Sequence, residues 1–130
     1  MLIVTIRTDK PEAEIGLYED HTQLAYVPWP AHRELAETIH QRLRDLLTGN
    51  HKDWHDVQAI VFYKGPGSFT GLRIGASVAN ALADGLGAVI VGGTGEQWIE
   101  GGITRLLAGE ADALALPEYG AAPHITAPKK

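Results

Sequence analysis

Residues 65–75 read Gly65-Pro66-Gly67-Ser68-Phe69-Thr70-Gly71-Leu72-Arg73-Ile74-Gly75, a glycine-dense run carrying two hydroxyls and one guanidinium. Where a strand passes into a helix, such a turn aims backbone amides at whatever lies before them. Arg73 stands one turn inside, so one chemistry open to the run is anion or nucleotide binding. Ser68 or Thr70 can instead cap the first helical amides, and glycines can admit positive φ or the close approach of another group. The known phosphate patterns require other residues. A Walker loop needs Lys-Ser/Thr after its last glycine, where Leu72 and Arg73 stand, and the dinucleotide fingerprint needs a glycine where Thr70 sits. Nor is Ser68 in a nucleophile elbow, since Pro66 holds the place of the first glycine.

Other groups with chemical potential are sparse. His51 and His55 are four apart, a spacing that binds metal on a helix, but Gly49-Asn50 has just ended one. His32 and His40 are eight apart with Ala36 between them, too far for a His-x-x-x-His site, and read as solvated or interfacial. Glu34 and Glu37 lie on the polar side of an amphipathic helix. Cysteine is absent, which removes disulfides, thiol nucleophiles and thiolate metal sites and fits a cytoplasmic protein. No metal site and no catalytic residue is expected.

The elements that must position the run follow from periodicity. With 130 residues and 45% apolar content the chain can bury one core, and its net charge of -5 gives the surface as a whole no attraction for a polyanion. Residues 2–6 form an apolar strand too short for a signal or a membrane span. Ala13, Ile15 and Leu17 alternate in a second strand, residues 23–27 make a third, and Pro28-Trp29-Pro30 is expected to stop the sheet. Leu35, Ile39, Leu43, Leu46 and Leu47 recur at helical spacing before Gly49. Residues 57–63 read as a strand covered on both faces, followed by the glycine turn and a helix to about Leu86. A strand at 88–91, a glycine turn at 92–95 and a helix through Trp98, Ile103 and Leu107 complete βββαβαβα. This order implies a mixed five-stranded sheet with helices on its faces, the architecture of a ribonuclease H-like fold. Residues 1–112 form that lobe, and residues 113–130, with Pro117, Pro123 and Pro128, form an extended tail ending in Lys129-Lys130.

The helix after the turn carries a second signal. Gly71, Gly75, Ala79 and Ala83 fall four apart in a small-residue stripe. Arg73, Ser77, Asn80 and Asp84 crowd into an arc of roughly 60°, which leaves more apolar surface than the ~100° stripe of a one-sided helix. One face can cover the sheet while the remainder meets a second partner.

At this run the chain strongly resembles the bacterial TsaB family of the tRNA threonylcarbamoyladenosine machinery, which carries nearly the same eleven residues. The resemblance extends to the hairpin start, the helix opening near His32, the buried strand before the run, Gly92-Gly93-Thr94, and Pro117-x-Tyr119 in the tail. It implies one lobe of the actin and heat-shock ATPase superfamily, and a noncatalytic cytoplasmic subunit with no cofactor of its own. ATP would be used by partner subunits. The partners implied are a TsaD-like catalytic subunit, a TsaE-like ATPase, a second copy of the chain, and tRNA indirectly through the complex. Contact would run through the helices matching 31–48 and 70–86. The residues expected there are Leu35, Ile39, Gly71, Gly75, Ala79 and Ala83, with Gly65, Pro66, Gly67, Ser68, Phe69, Thr70 and Arg73 shaping the turn. Two departures stand out. Relatives that handle nucleotide carry Asp where the first strand here ends in Arg7. Typical members also have a second α/β domain, where this chain has only a short segment before its tail, as if that lobe were deleted.

Overall fold

A computed structural model of the chain describes residues 1–31 and 34–112, the side chains of Ala36 and Phe69 excepted. The elements are β1 (Leu2–Arg7), β2 (Glu12–Glu19), β3 (Thr22–Pro30), α1 (Leu35–Gly49), β4 (Ala59–Gly65), α2 (Phe69–Leu86), β5 (Val89–Thr94) and α3 (Trp98–Leu107). They form a single ribonuclease H-like α/β lobe with strand order β3-β2-β1-β4-β5. β1 pairs antiparallel with β2 and parallel with β4, and β4 pairs parallel with β5. The tail at 113–130 and His32 lie outside the described residues.

Alternation along β1 builds both layers. Leu2, Val4 and Ile6 point into one cluster with Leu35, Ile39, Leu43 and Leu47 of α1 and Ala76, Ala79 and Leu82 of α2. Ile3 points to the other face, where Val61, Val91, Trp98, Ile103 and Leu106 gather beneath α3. Each such aliphatic side chain, fully buried, contributes about 1.5–3 kcal/mol. Ala59 to Tyr63 of β4 are all buried, as a strand covered on both faces must be.

Two local readings of the sequence are corrected. The prolines do not stop the sheet: β3 runs to Pro30, with Trp29 paired to Ala13 and buried. On an edge strand the missing amides of Pro28 and Pro30, two residues apart, can face away from β2. Gly92 and Gly93 are strand residues of β5 rather than a turn. A Cβ on Gly93 would lie 2.3 Å from the Trp98 carbonyl oxygen, so glycine lets α3 begin close against the strand. Gly49 ends α1 as its place after the periodic leucines predicts, and the left-handed residue that then turns the chain is His51 at φ 60°. The Asn50 amide group donates to the Leu46 oxygen and the Lys52 amide to the Leu47 oxygen.

Candidate functional site

The glycine run joins β4 to α2 and lies across the end of β1. Ser68 is the N-cap of α2, its hydroxyl accepting from the Gly71 amide at 3.4 Å, while Gly87 at φ 66° closes the far end. Gly65 takes φ 130°, a conformation open to glycine, and the Tyr63 hydroxyl donates to the Pro66 oxygen at 2.7 Å. These bonds hold the turn over the β1–β2 connection.

The approach is close at three glycines. A Cβ on Gly67 would lie 2.6 Å from the Asp9 carboxylate, one on Gly71 2.1 Å from the Thr8 carbonyl oxygen, and one on Gly75 2.2 Å from the Thr8 hydroxyl. Thr8 is buried, and its hydroxyl donates to the Gly71 oxygen at 2.6 Å. The N-terminal half of α2 is thus sewn to the strand end by residues whose importance only their spatial neighbours reveal. Nothing in the spacing of Thr8 pointed to this role.

Arg7 and Asp9 occupy the strand end as a pair. The Arg7 Nε donates to Asp9 Oδ1 at 2.8 Å and a terminal nitrogen donates to Oδ2 at 3.4 Å, while the guanidinium stacks 3.8 Å from the centre of the Tyr63 ring. Burial alone would lower the Arg7 pKa; the hydrogen bond and charge of Asp9 outweigh it and raise it. The paired charges leave no lone carboxylate for a metal ion and no lone guanidinium for a phosphate at this point. Beside the turn a hollow of about 400 Å³ opens between Asp9, Lys10, Ala31, Ser68, Thr70 and Ile74.

The residues expected to meet a partner are placed as follows. Leu35, Ile39 and Ala79 are buried in the lobe's own core, Ala83 is half-buried against it, and Gly71 and Gly75 face Thr8. The stripe therefore draws α2 onto the sheet. The outward side of the two helices carries other residues: Thr70, Arg73, Ser77, Ala81 and Gly85 on α2, and His40, Gln41 and Arg44 on α1. Between them a hollow of about 420 Å³ is lined by His40, Arg44, Trp54, Ala81, Leu82 and Gly85.

Of the remaining polar groups, His51 sits at the end of α1 and His55 in a 3-10 turn at Trp54–Asp56, where its imidazole is 3.4 Å from Asp53. Glu34 and Glu37 are exposed, and Thr38 links the start of α1 to the sheet by accepting from the Trp29 indole at 3.2 Å. Among the described residues no three His, Asp or Glu side chains gather as a metal site, and no helix is long and apolar enough to cross a membrane.

Residues 21–93, more than half of the chain, match the family model of TsaD, tRNA N6-adenosine threonylcarbamoyltransferase. The chain belongs to this family. Within it, the similarity to TsaB is pronounced: the chain is 32% identical over 114 residues to the tRNA threonylcarbamoyladenosine biosynthesis protein TsaB of Escherichia coli, covering 83% of this chain and 49% of that protein. It is 36% identical over 107 residues to the tRNA N6-adenosine threonylcarbamoyltransferase of Ralstonia pickettii, covering 70% of this chain and 31% of that one. The chain thus spans about half the length of the first of these TsaD-family relatives and about a third of the second. YeaZ from Pseudomonas aeruginosa superposes with a TM-score of 0.62 at 29% identity, over 72% of this chain and 43% of YeaZ. RuvC of Thermus thermophilus, in complex with a Holliday junction, superposes with a TM-score of 0.54 at 13% identity over 95% of this chain and 85% of RuvC, a likeness of fold alone.

Proposed function

We propose that this lobe is a noncatalytic, cytoplasmic scaffold subunit in tRNA threonylcarbamoyladenosine biosynthesis that docks a TsaD-like catalytic subunit on the outward side of α1 and α2. The observation that carries the reading is the use of the glycine run inside the lobe. Its glycines accommodate Thr8 and Asp9, its first hydroxyl caps α2, and the strand end beneath it is filled by the Arg7–Asp9 pair. A turn so occupied serves to fix a helix. The fixed helix then presents Thr70, Ser77, Ala81 and Gly85 beside α1 as a surface with small side chains, which a partner helix can approach closely. The family similarity supplies the pathway. In this reading ATP and tRNA are handled by partner subunits.

The test is light scattering of the chain alone, with a TsaD-like subunit, and with the Ala81→Arg variant of the chain. Ala81 is exposed and arginine is a strong helix former, so the variant keeps its fold. A heterodimer that Ala81→Arg weakens by about tenfold or more, roughly 1.4 kcal/mol, is expected. Unchanged affinity overturns the docking surface, and a dimer of the chain alone that the TsaD-like subunit leaves intact favours self-association. Calorimetry with ATP addresses the anion-binding alternative. Micromolar binding that Arg73→Ala removes would replace the scaffold reading.

A further inference from the structure

The hollow of about 420 Å³ between α1 and α2 has three parts. Its floor is apolar: Leu82 is buried, and Trp54 and Leu86 are half-buried against the main core. Its α2 rim, Ala81 and Gly85, is exposed and almost without side chain. Its α1 rim carries Arg44, with His40 one helical turn before it, both exposed. The carboxylates on neighbouring elements are engaged or placed elsewhere. Asp45 accepts from the Gln41 side-chain amide at 2.9 Å, while Asp53 and Asp56 beside Trp54 accept from backbone amides of their own 3-10 turn at 2.7 and 2.8 Å. Asp84 of α2 lines a separate hollow next to β5. On α1 the residues three and four positions from Arg44 are His40, Gln41, Leu47 and Thr48, none of them acidic. Among the described residues Arg44 therefore has no ion-pair partner, in a chain whose net charge is -5.

We propose that this hollow receives an acidic amphipathic helix of the partner subunit. An aliphatic side chain of that helix enters past Ala81 and Gly85 onto the floor, and a carboxylate one turn along it pairs with Arg44. The inference rests on the docking reading above and names the chemistry of the surface that docks. The small α2 rim lets a helix backbone come near, and the apolar floor suits an uncharged anchor. One guanidinium then meets one carboxylate. A nucleic-acid strand would gain little here, because it presents a row of phosphates to a single guanidinium beside an apolar floor.

The test is titration of a TsaD-like subunit with the full chain and with its Arg44→Glu, Arg44→Gln and Ala81→Arg variants, at about 50 mM and about 0.5 M salt. Arg44 is exposed on α1 and both replacements are good helix formers, so the fold is kept. At low salt Arg44→Glu is expected to weaken binding about tenfold or more, since like charges opposed across an interface repel, and Arg44→Gln to weaken it less. Both gaps from the parent narrow at high salt, which screens exposed charges. Losses that are equal for Arg44→Glu and Arg44→Gln and indifferent to salt overturn the charge pairing. Binding that Arg44→Glu leaves unchanged or tightens, while Ala81→Arg weakens it, overturns this inference alone and leaves the docking surface standing. If neither variant alters affinity, the docking surface falls and the acidic helix with it. Binding of tRNA by the chain alone that Arg44→Glu removes would give this rim to nucleic acid and overturn the proposal.

Discussion

The two ends of α2 use the same residue type in opposite ways. At the N-terminal end Gly71 and Gly75 stand where a Cβ would collide with Thr8, whereas at the C-terminal end a Cβ on Gly85 meets nothing within 4 Å. Glycine at the first end is a condition of packing; at the second it is an opening in the surface. The stripe of Gly71, Gly75, Ala79 and Ala83 therefore packs within the lobe along its whole length, and Gly85 lies off it on the exposed side of the same helix.

The sharpest way to break this contrast is Gly71→Ala. The obstructing atom is a backbone oxygen, which cannot swing aside, so the helix must lift from the strand end and lose the Thr8 hydrogen bond. Destabilisation of about 3 kcal/mol or more is expected in chemical denaturation, at the upper end of the usual cost of overpacking. A variant as stable as the parent would show that the close approach at Gly71 is unimportant. Ala81→Arg, from the exposed side, should leave denaturation nearly unchanged while reducing partner affinity. The pair of results separates the two sides by separating fold from binding.

That separation was only partly legible in the sequence. The apolar spacing of Leu35, Ile39, Leu43 and Leu47 states which side of α1 is buried, and the run 59–63 states that β4 is interior. Element order followed from such patterns, because burial repeats with the period of the backbone. The stripe on α2 has no such direction: four-residue spacing of glycine and alanine is equally compatible with a partner outside and a strand inside. The decision lies with Thr8, sixty-three residues away along the chain from Gly71. Gly92 and Gly93 illustrate the same limit, since a Cβ on Gly92 would meet the Lys64 and Phe62 side chains and one on Gly93 the backbone of Trp98, and neither glycine answers to a turn.

A smaller effect refines the packed side. Thr8→Val keeps the shape of the side chain and removes the hydroxyl that donates to the Gly71 oxygen at 2.6 Å. Loss of this buried bond is expected to cost about 1 kcal/mol, visible as a lower denaturant midpoint without a change in slope. If Thr8→Val instead matched the parent, the steric fit of the glycines alone would hold the helix, and the hydrogen bond would be incidental to it.

The smallest effect carries the opposite sign. Gly85 is helical and exposed, it pays the backbone entropy of glycine, and an alanine Cβ there has open space. Gly85→Ala should therefore stabilise the isolated chain by about 0.5–1 kcal/mol, read as a raised midpoint. Gly85 also lines the hollow between α1 and α2, so the same methyl group would enter the surface offered to a partner. A raised midpoint together with weakened docking would mean that the glycine is kept open for contact at the expense of helix stability. A raised midpoint with docking unchanged would confine the contact to the part of the surface around Ala81, and would leave Gly85 as an unexploited stabilising position.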